Sequence, residues 1–99
     1  MGVNEPVISK TVEDEKGRLL TLDYFVTHGL SLTDGAEGKP AFGIRVQMST
    51  DGKDSDVSQI DDVTPSKETA TRMAQLFANF LVTPTSLRDV VEDCLSAQL

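Results

Sequence analysis

The periodicity of the chain changes once, and that change decides the fold class. From Ala41 to Ser49 the residues alternate. Phe42, Ile44, Val46 and Met48 point one way, and Gly43, Arg45, Gln47 and Ser49 the other, the two-residue repeat of a half-buried strand. Leu19 to His28 carries the same repeat: Leu20, Leu22, Tyr24 and Val26 share one face, and Leu19, Thr21, Asp23, Phe25 and Thr27 the other. Beyond Thr64-Pro65 the apolar spacing becomes three and four. Ala70, Met73, Ala74, Phe77, Phe80 and Leu81 form one stripe, and Leu87, Val90, Val91, Cys94 and Leu95 a second, as on the buried faces of helices. Strands followed by helices make an α+β chain.

The connections refine this. Pro6 to Glu13 reads as a weaker strand, closed by the polar turn DEKGR with Gly17 free to take positive φ. Thr50 to Asp54, TDGKD, carries the Asp-Gly hairpin signature. A last strand is expected over Asp56 to Asp61. Val57 and Ile60 stand three apart there, which predicts a bulge between them or an early end. Gly29 to Lys39 has three glycines and no sustained period, and reads as a long irregular loop. Thr64-Pro65 is a helix start, with threonine as cap and proline at the first helical position. Thr83-Pro84 repeats the signal, ending one helix and beginning the next. The expected order is ββββαα: a four-stranded antiparallel meander with two C-terminal helices packed on one face. It forms a single domain over residues 1–99, with residues 1–5 a flexible N-terminus, 6–61 the sheet and 64–97 the helices.

Charge removes several functional classes. Nine Lys and Arg against sixteen Asp and Glu give a net charge of −7, and no two basic residues are adjacent. Such a field repels phosphate backbones and anionic membranes. No apolar run is long enough to span a bilayer, the N-terminus lacks a signal-peptide core, and a single cysteine forms no internal disulfide. A cytoplasmic chain is expected.

No catalytic constellation emerges. His28 is the sole histidine, at a strand exit, and Cys94 the sole thiol, in an apolar stripe. One of each makes neither a dyad nor a zinc site. Asp51, Asp54 and Asp56, with Asp61 and Asp62 beyond, lack the spacing of a calcium loop. Gly29, Gly35, Gly38 and Lys39 form no phosphate cradle, because a strand and not a helix follows. Asp89, Glu92 and Asp93 lie on one side of the last helix, with Arg88 placed to pair with Glu92. They read as a solvated face first and a protein contact second. No catalytic residue, metal or cofactor is expected.

The segments FGIRVQM at Phe42 to Met48, IDDVTPSKETA at Ile60 to Ala70, and VTPTSLRDVVEDCL at Val82 to Leu95 resemble a family of small Firmicutes proteins, mostly clostridial, classed as a domain of unknown function. Its members share an aromatic-Gly-Ile strand, an acid-rich turn into a helix and a closing VTP…LRDVVEDFL signature. Cys94 stands here where that signature has an aromatic. The resemblance spans about Tyr24 to Leu95, and implies this element order and a bacterial cytoplasm but no catalytic residues.

The leading expectation is a small non-catalytic interaction or regulatory module, contacting a protein partner or a second copy through Phe25, Arg45 and Gln47 on the sheet and Arg88, Asp89, Glu92 and Asp93 on the helix. An alternative is a small-ligand binder or minor enzyme with its pocket between the 29–40 loop and the helices. It requires His28, Arg45 or Tyr24 to meet acids from another element. A weak nucleic-acid contact would require Arg18, Lys39 and Arg45 to gather on the sheet face.

Overall fold

The computed structural model describes residues 6–31, 35 and 38–97. It contains β1 (Ile8–Glu13), β2 (Leu19–Leu30), β3 (Pro40–Thr50), β4 (Lys53–Thr64), α1 (Lys67–Asn79) and α2 (Leu87–Ala97). The strands form one antiparallel sheet in the order β1-β2-β3-β4, and the helices follow: an α+β fold.

Turn chemistry sets the register. At the β3–β4 hairpin Asp51 (φ 50°) and Gly52 (φ 84°) both adopt positive φ, as a two-residue hairpin turn matched to strand twist requires, and Thr50 pairs directly with Lys53. The tip is also tied sideways. Leu19 N–H donates to Asp51 Oδ1 at 2.9 Å, and Asp51 N–H to the Leu19 carbonyl at 2.8 Å. At the β1–β2 turn, Asp14 Oδ1 accepts from the N–H groups of Arg18 and Lys16, and Oδ2 takes Arg18 Nε at 2.7 Å. The Arg18 backbone N–H, followed by its guanidinium and the Lys16 N–H, holds the Asp14 carboxyl below the ordinary aspartate range.

β4 departs from the sequence reading. It runs on to Thr64, past the expected end at Asp61, and Val57 and Ile60 lie on opposite faces with no bulge between them. The irregularities flank that pair instead. One residue is inserted opposite Met48/Ser49, and a longer shift opposite Phe42/Ile44 contains Asp62 at φ 55°. Val57 pairs with Gln47 on the outer face and is exposed, while Ile60 pairs with Ile44 over the core. The spacing of three is thus an ordinary change of face. β2 and β3 also extend into the segment read as loop, with Leu30 paired to Pro40 and Ser31 N–H donating to the Lys39 carbonyl. Residues 32–34 and 36–37 of that loop lie outside the described residues.

The core lies between the inner sheet face and the helices. Leu22, Tyr24, Ile44 and Val46 pack against Ala70, Met73, Ala74, Phe77 and Ala78 of α1 and Leu87 and Val91 of α2. α1 lies across all four strands, chiefly β2 and β3, whereas α2 lies against β4. Tyr24 reaches through this layer, its hydroxyl donating to the Val82 carbonyl at 2.8 Å and tying the sheet to the link between the helices. Burial pushes the Tyr24 phenol up to about 12. An unfolded tyrosine loses its proton near pH 10, so the folded state holds this proton more tightly. The resulting stability is complete below pH 10 and is lost as pH climbs toward 12. Urea midpoints measured across that interval should fall more steeply for the native chain than for Tyr24→Phe. Since Tyr24 is the only tyrosine, its phenolate absorbance reports the titration directly.

Both helix starts sit later than the Thr-Pro pairs predict. Thr64 Oγ1 accepts from the Ser66 N–H, and Ser66 is the true cap of α1, its Oγ accepting from the Thr69 N–H at 3.1 Å. A helix's first N–H groups need side-chain acceptors, and a serine supplies one only where its backbone is still extended, as Ser66 is at φ −107° and ψ 118°. In α2 the turn after Thr83-Pro84 runs to Ser86, whose carbonyl accepts from the Val90 N–H. Ser66→Ala should cost about 1 kcal/mol, read from a denaturant midpoint, and Thr64→Ala less.

Candidate functional site

Two residues expected in the core are outside it. α1 ends at Asn79, with Phe80 as its C-cap. Leu81 then takes φ 54°, the left-handed conformation that usually belongs to glycine. Its N–H donates to the Ala78 carbonyl at 3.1 Å, and the Val82 N–H to the Phe77 carbonyl at 2.9 Å. These two bonds make a Schellman closure. They satisfy the last carbonyls of the helix and turn the chain sharply. Extending the stripe past Asn79 assumed that the helix continued, and the closure overturns that. Phe80 is 74% exposed and Leu81 41%. Leu95, placed in the second stripe, is exposed as well, while Val90 and Cys94 are half-buried.

The result is a furrow of about 420 Å³ between the helices. Phe77 and Val82 are its buried residues, Leu76, Phe80 and Leu81 line it from the end of α1, and Val90 and Cys94 line it from α2. It exists because the helices diverge, one over the middle strands and the other over β4, and do not pack side by side. A contiguous group of exposed large apolar residues on a small domain marks a contact surface more often than an isolated one does. A leucine in the left-handed region costs roughly 1 kcal/mol relative to glycine. Leu81→Gly should therefore raise stability by about that amount, measured by urea denaturation.

The residues expected to form an interaction surface fall on two opposite sides. Phe25 and Arg45 are cross-strand partners on the outer sheet face, with the guanidinium carbon 5.7 Å from the ring centroid. Both are half-buried, and Gln47 Oε1 accepts from Arg45 Nη2 at 3.3 Å. Arg45 Nε is buried without a hydrogen-bond partner among the described residues. The ring beneath offsets part of that loss through its quadrupole. Arg88, Asp89, Glu92 and Asp93 are exposed on α2, on the other side of the sheet. Arg88 and Glu92, expected to pair, form no ion pair. The ion pairs of the described residues are Arg18–Asp14 and Arg72–Glu68.

The groups that a ligand pocket would need are divided too. Tyr24 is in the core and Arg45 is stacked on Phe25. His28 does line a hollow of about 350 Å³ together with Asp61 and Asp62 at the irregular end of β4, but it pairs with Phe42 and so follows Val26 on the core side of β2, whereas Asp61 follows Gln59 on the outer side. There Gln59 Nε2 donates to Asp61 Oδ1 at 2.8 Å, and Ser31 Oγ to Asp62 Oδ2 at 3.1 Å. A smaller cavity of about 240 Å³ lies where the β2–β3 loop meets the β4–α1 link, lined by Ser31, Lys39, Asp62 and Pro65 among others. Arg18 and Lys39 stand at opposite ends of the sheet and do not gather with Arg45. Among the described residues no three His, Cys, Asp or Glu side chains are placed to hold a metal ion. Asp51 is engaged in its turn and Asp56 accepts from the Val57 N–H. Among the described residues no helix is long and apolar enough to cross a membrane.

Comparison with known proteins adds the family and nothing beyond it. No curated protein and no solved structure matches the chain. The model of one family matches residues 3–97, nearly the whole sequence, and the chain belongs to that family, the family of unknown function DUF6514.

Proposed function

We propose that this chain is a small, non-catalytic protein-interaction module whose contact surface is the furrow between α1 and α2. The observation that supports the reading is Phe80, left 74% exposed beside Leu76 and Leu81 by a helix end built on a strained leucine. Burying a phenylalanine stabilises an interface by roughly 1.5–3 kcal/mol, so such a side chain is an anchor when a partner covers it. The outer-face residues Phe25, Arg45 and Gln47 serve less well, since Arg45 already covers the ring. The resemblance carried by Val82 to Leu95 supports a Firmicutes, clostridial origin and a cytoplasmic setting for this role.

Native chain and Phe80→Ser, immobilised side by side, test the reading against a lysate of the source cells. A protein retained by the first and lost by the second supports it. Identical retention by both, with no self-association in sedimentation, removes it.

A second reading makes the hollow at His28, Asp61 and Asp62 a seat for a small polar ligand. It is favoured by β4 acids and a β2 histidine lining one hollow beside a β-bulge, a place where sheets often re-aim side chains for function. A saturable thermal shift with a metabolite mixture, abolished by His28→Ala and by Asp61→Asn, would favour it over the interaction reading.

A further inference from the structure

The charges beside the furrow specify what fits it. In α2 a residue advances about 100° around the axis. Leu87 and Val91 face the sheet, Val90 and Cys94 face the furrow, and Asp89 and Asp93 come next, one turn apart along its outer rim. Both acids are exposed and neither forms an ion pair among the described residues. On the opposite wall Arg72 follows Leu76 around α1, but its Nη2 lies 2.6 Å from Glu68 Oε1, so that wall carries no net charge. The furrow is therefore an apolar trough with one acidic bank, on a chain whose total charge is −7.

Resting on the interaction reading above, we propose that the furrow takes an amphipathic helix from another protein, with apolar anchors along one face and lysine or arginine along the edge that meets Asp89 and Asp93. A trough between two helices accepts anchors at i, i+3 or i+4, and i+7, because that spacing lays one apolar stripe along its length. Opposite charge at the bank orients the incoming helix and speeds its approach. A second copy of this chain does not supply such an element. α2 carries Arg88 against Asp89, Glu92 and Asp93, and α1 already buries its stripe on the sheet. Joining two copies through this face also sets acid against acid.

The test uses two labelled helical peptides with the same leucine stripe, one with lysines along a polar edge and one with glutamates there. Binding is read by fluorescence anisotropy at low and high salt. The lysine peptide should bind at least about tenfold more tightly than its twin, and added salt should narrow the difference. Phe80→Ser should weaken the lysine peptide about tenfold, a loss typical of a buried aromatic anchor. Asp89→Asn with Asp93→Asn should weaken it and, by removing like charge, strengthen the glutamate peptide, so that the gap between the two closes. All three positions are exposed, so the variants should fold, which circular dichroism checks. Equal binding of the two peptides overturns the proposal, as does lysine-peptide binding that ignores Phe80→Ser, since that is attraction by net charge alone. If neither peptide binds while Phe80→Ser still loses its captured protein, the helix class is wrong and the interaction surface stands. A dimer dissolved by Phe80→Ser makes the occupant a second copy and also overturns the proposal.

Discussion

Gly43→Ala should lose about 3 kcal/mol or more of stability and lower the thermal midpoint by on the order of 15 °C, although it adds one methyl group. A Cβ at Gly43 meets the Ile60 carbonyl oxygen, Thr27 Oγ1 at 2.8 Å and Asp61 Cα at 2.9 Å. Two of these three neighbours are backbone, and backbone in a paired strand does not swing aside. Relief requires β4 to move off β3 where its irregular turn begins, between Ile60 and Thr64. Gly29→Ala is the control. It lies one strand away, with nothing among the described residues within 4 Å of the added carbon, and should stay within about 0.5 kcal/mol of the native chain. Thermal melts of the two variants, read together, separate a close approach from a general intolerance of lost glycine.

The second large effect separates two phenylalanines three residues apart. Phe77→Ala should cost about 3–5 kcal/mol, because Phe77 is 1% exposed and its removal leaves a cavity that Tyr24, Ile44 and Leu87 cannot all collapse to fill. Phe80→Ala should change stability by no more than about 0.5 kcal/mol. Chemical denaturation of both variants measures the contrast. A loss of several kcal/mol at Phe80 would mean that its ring packs inside the molecule, and the furrow would no longer be an open surface. The same experiment thus checks the core and the premise of the proposed function.

The contrast also shows where sequence periodicity stops being informative. Alternation over β2 and β3 was legible because both strands have one buried and one open face, so the period of two is written into them. The Asp-Gly turn was legible because few dipeptides favour two successive positive φ values. The ends of elements were not. A helical stripe continues on paper for as long as apolar residues fall at the right spacing, and nothing in Asn79-Phe80-Leu81 marks the stop. The usual marker is a glycine after the cap, and a leucine holds that position here. The candidate surface was missed for the same reason, since Phe80 and Leu81 were assigned to the core. Val57 and Ile60 misled in the opposite direction. Their spacing was read as a defect in one face when each serves a different face. The His28–Asp61–Asp62 hollow depended on a register shift in β4, and no local pattern in β2 or β4 announces where a distant strand slips.

That register shift also limits how the molecule can associate through its sheet. β1 and β4 are the two borders. β1 pairs with β2 residue for residue over its length, and among the described residues no strand lies on its other side, where a regular row of backbone groups is left. β4 is interrupted near both ends, so its outward N–H and C=O groups do not keep the even spacing that another strand would need to zip onto. One border is a template and the other is a terminator. Copies meeting border to border through β1 stop at two, and an open fibre has no second end from which to grow.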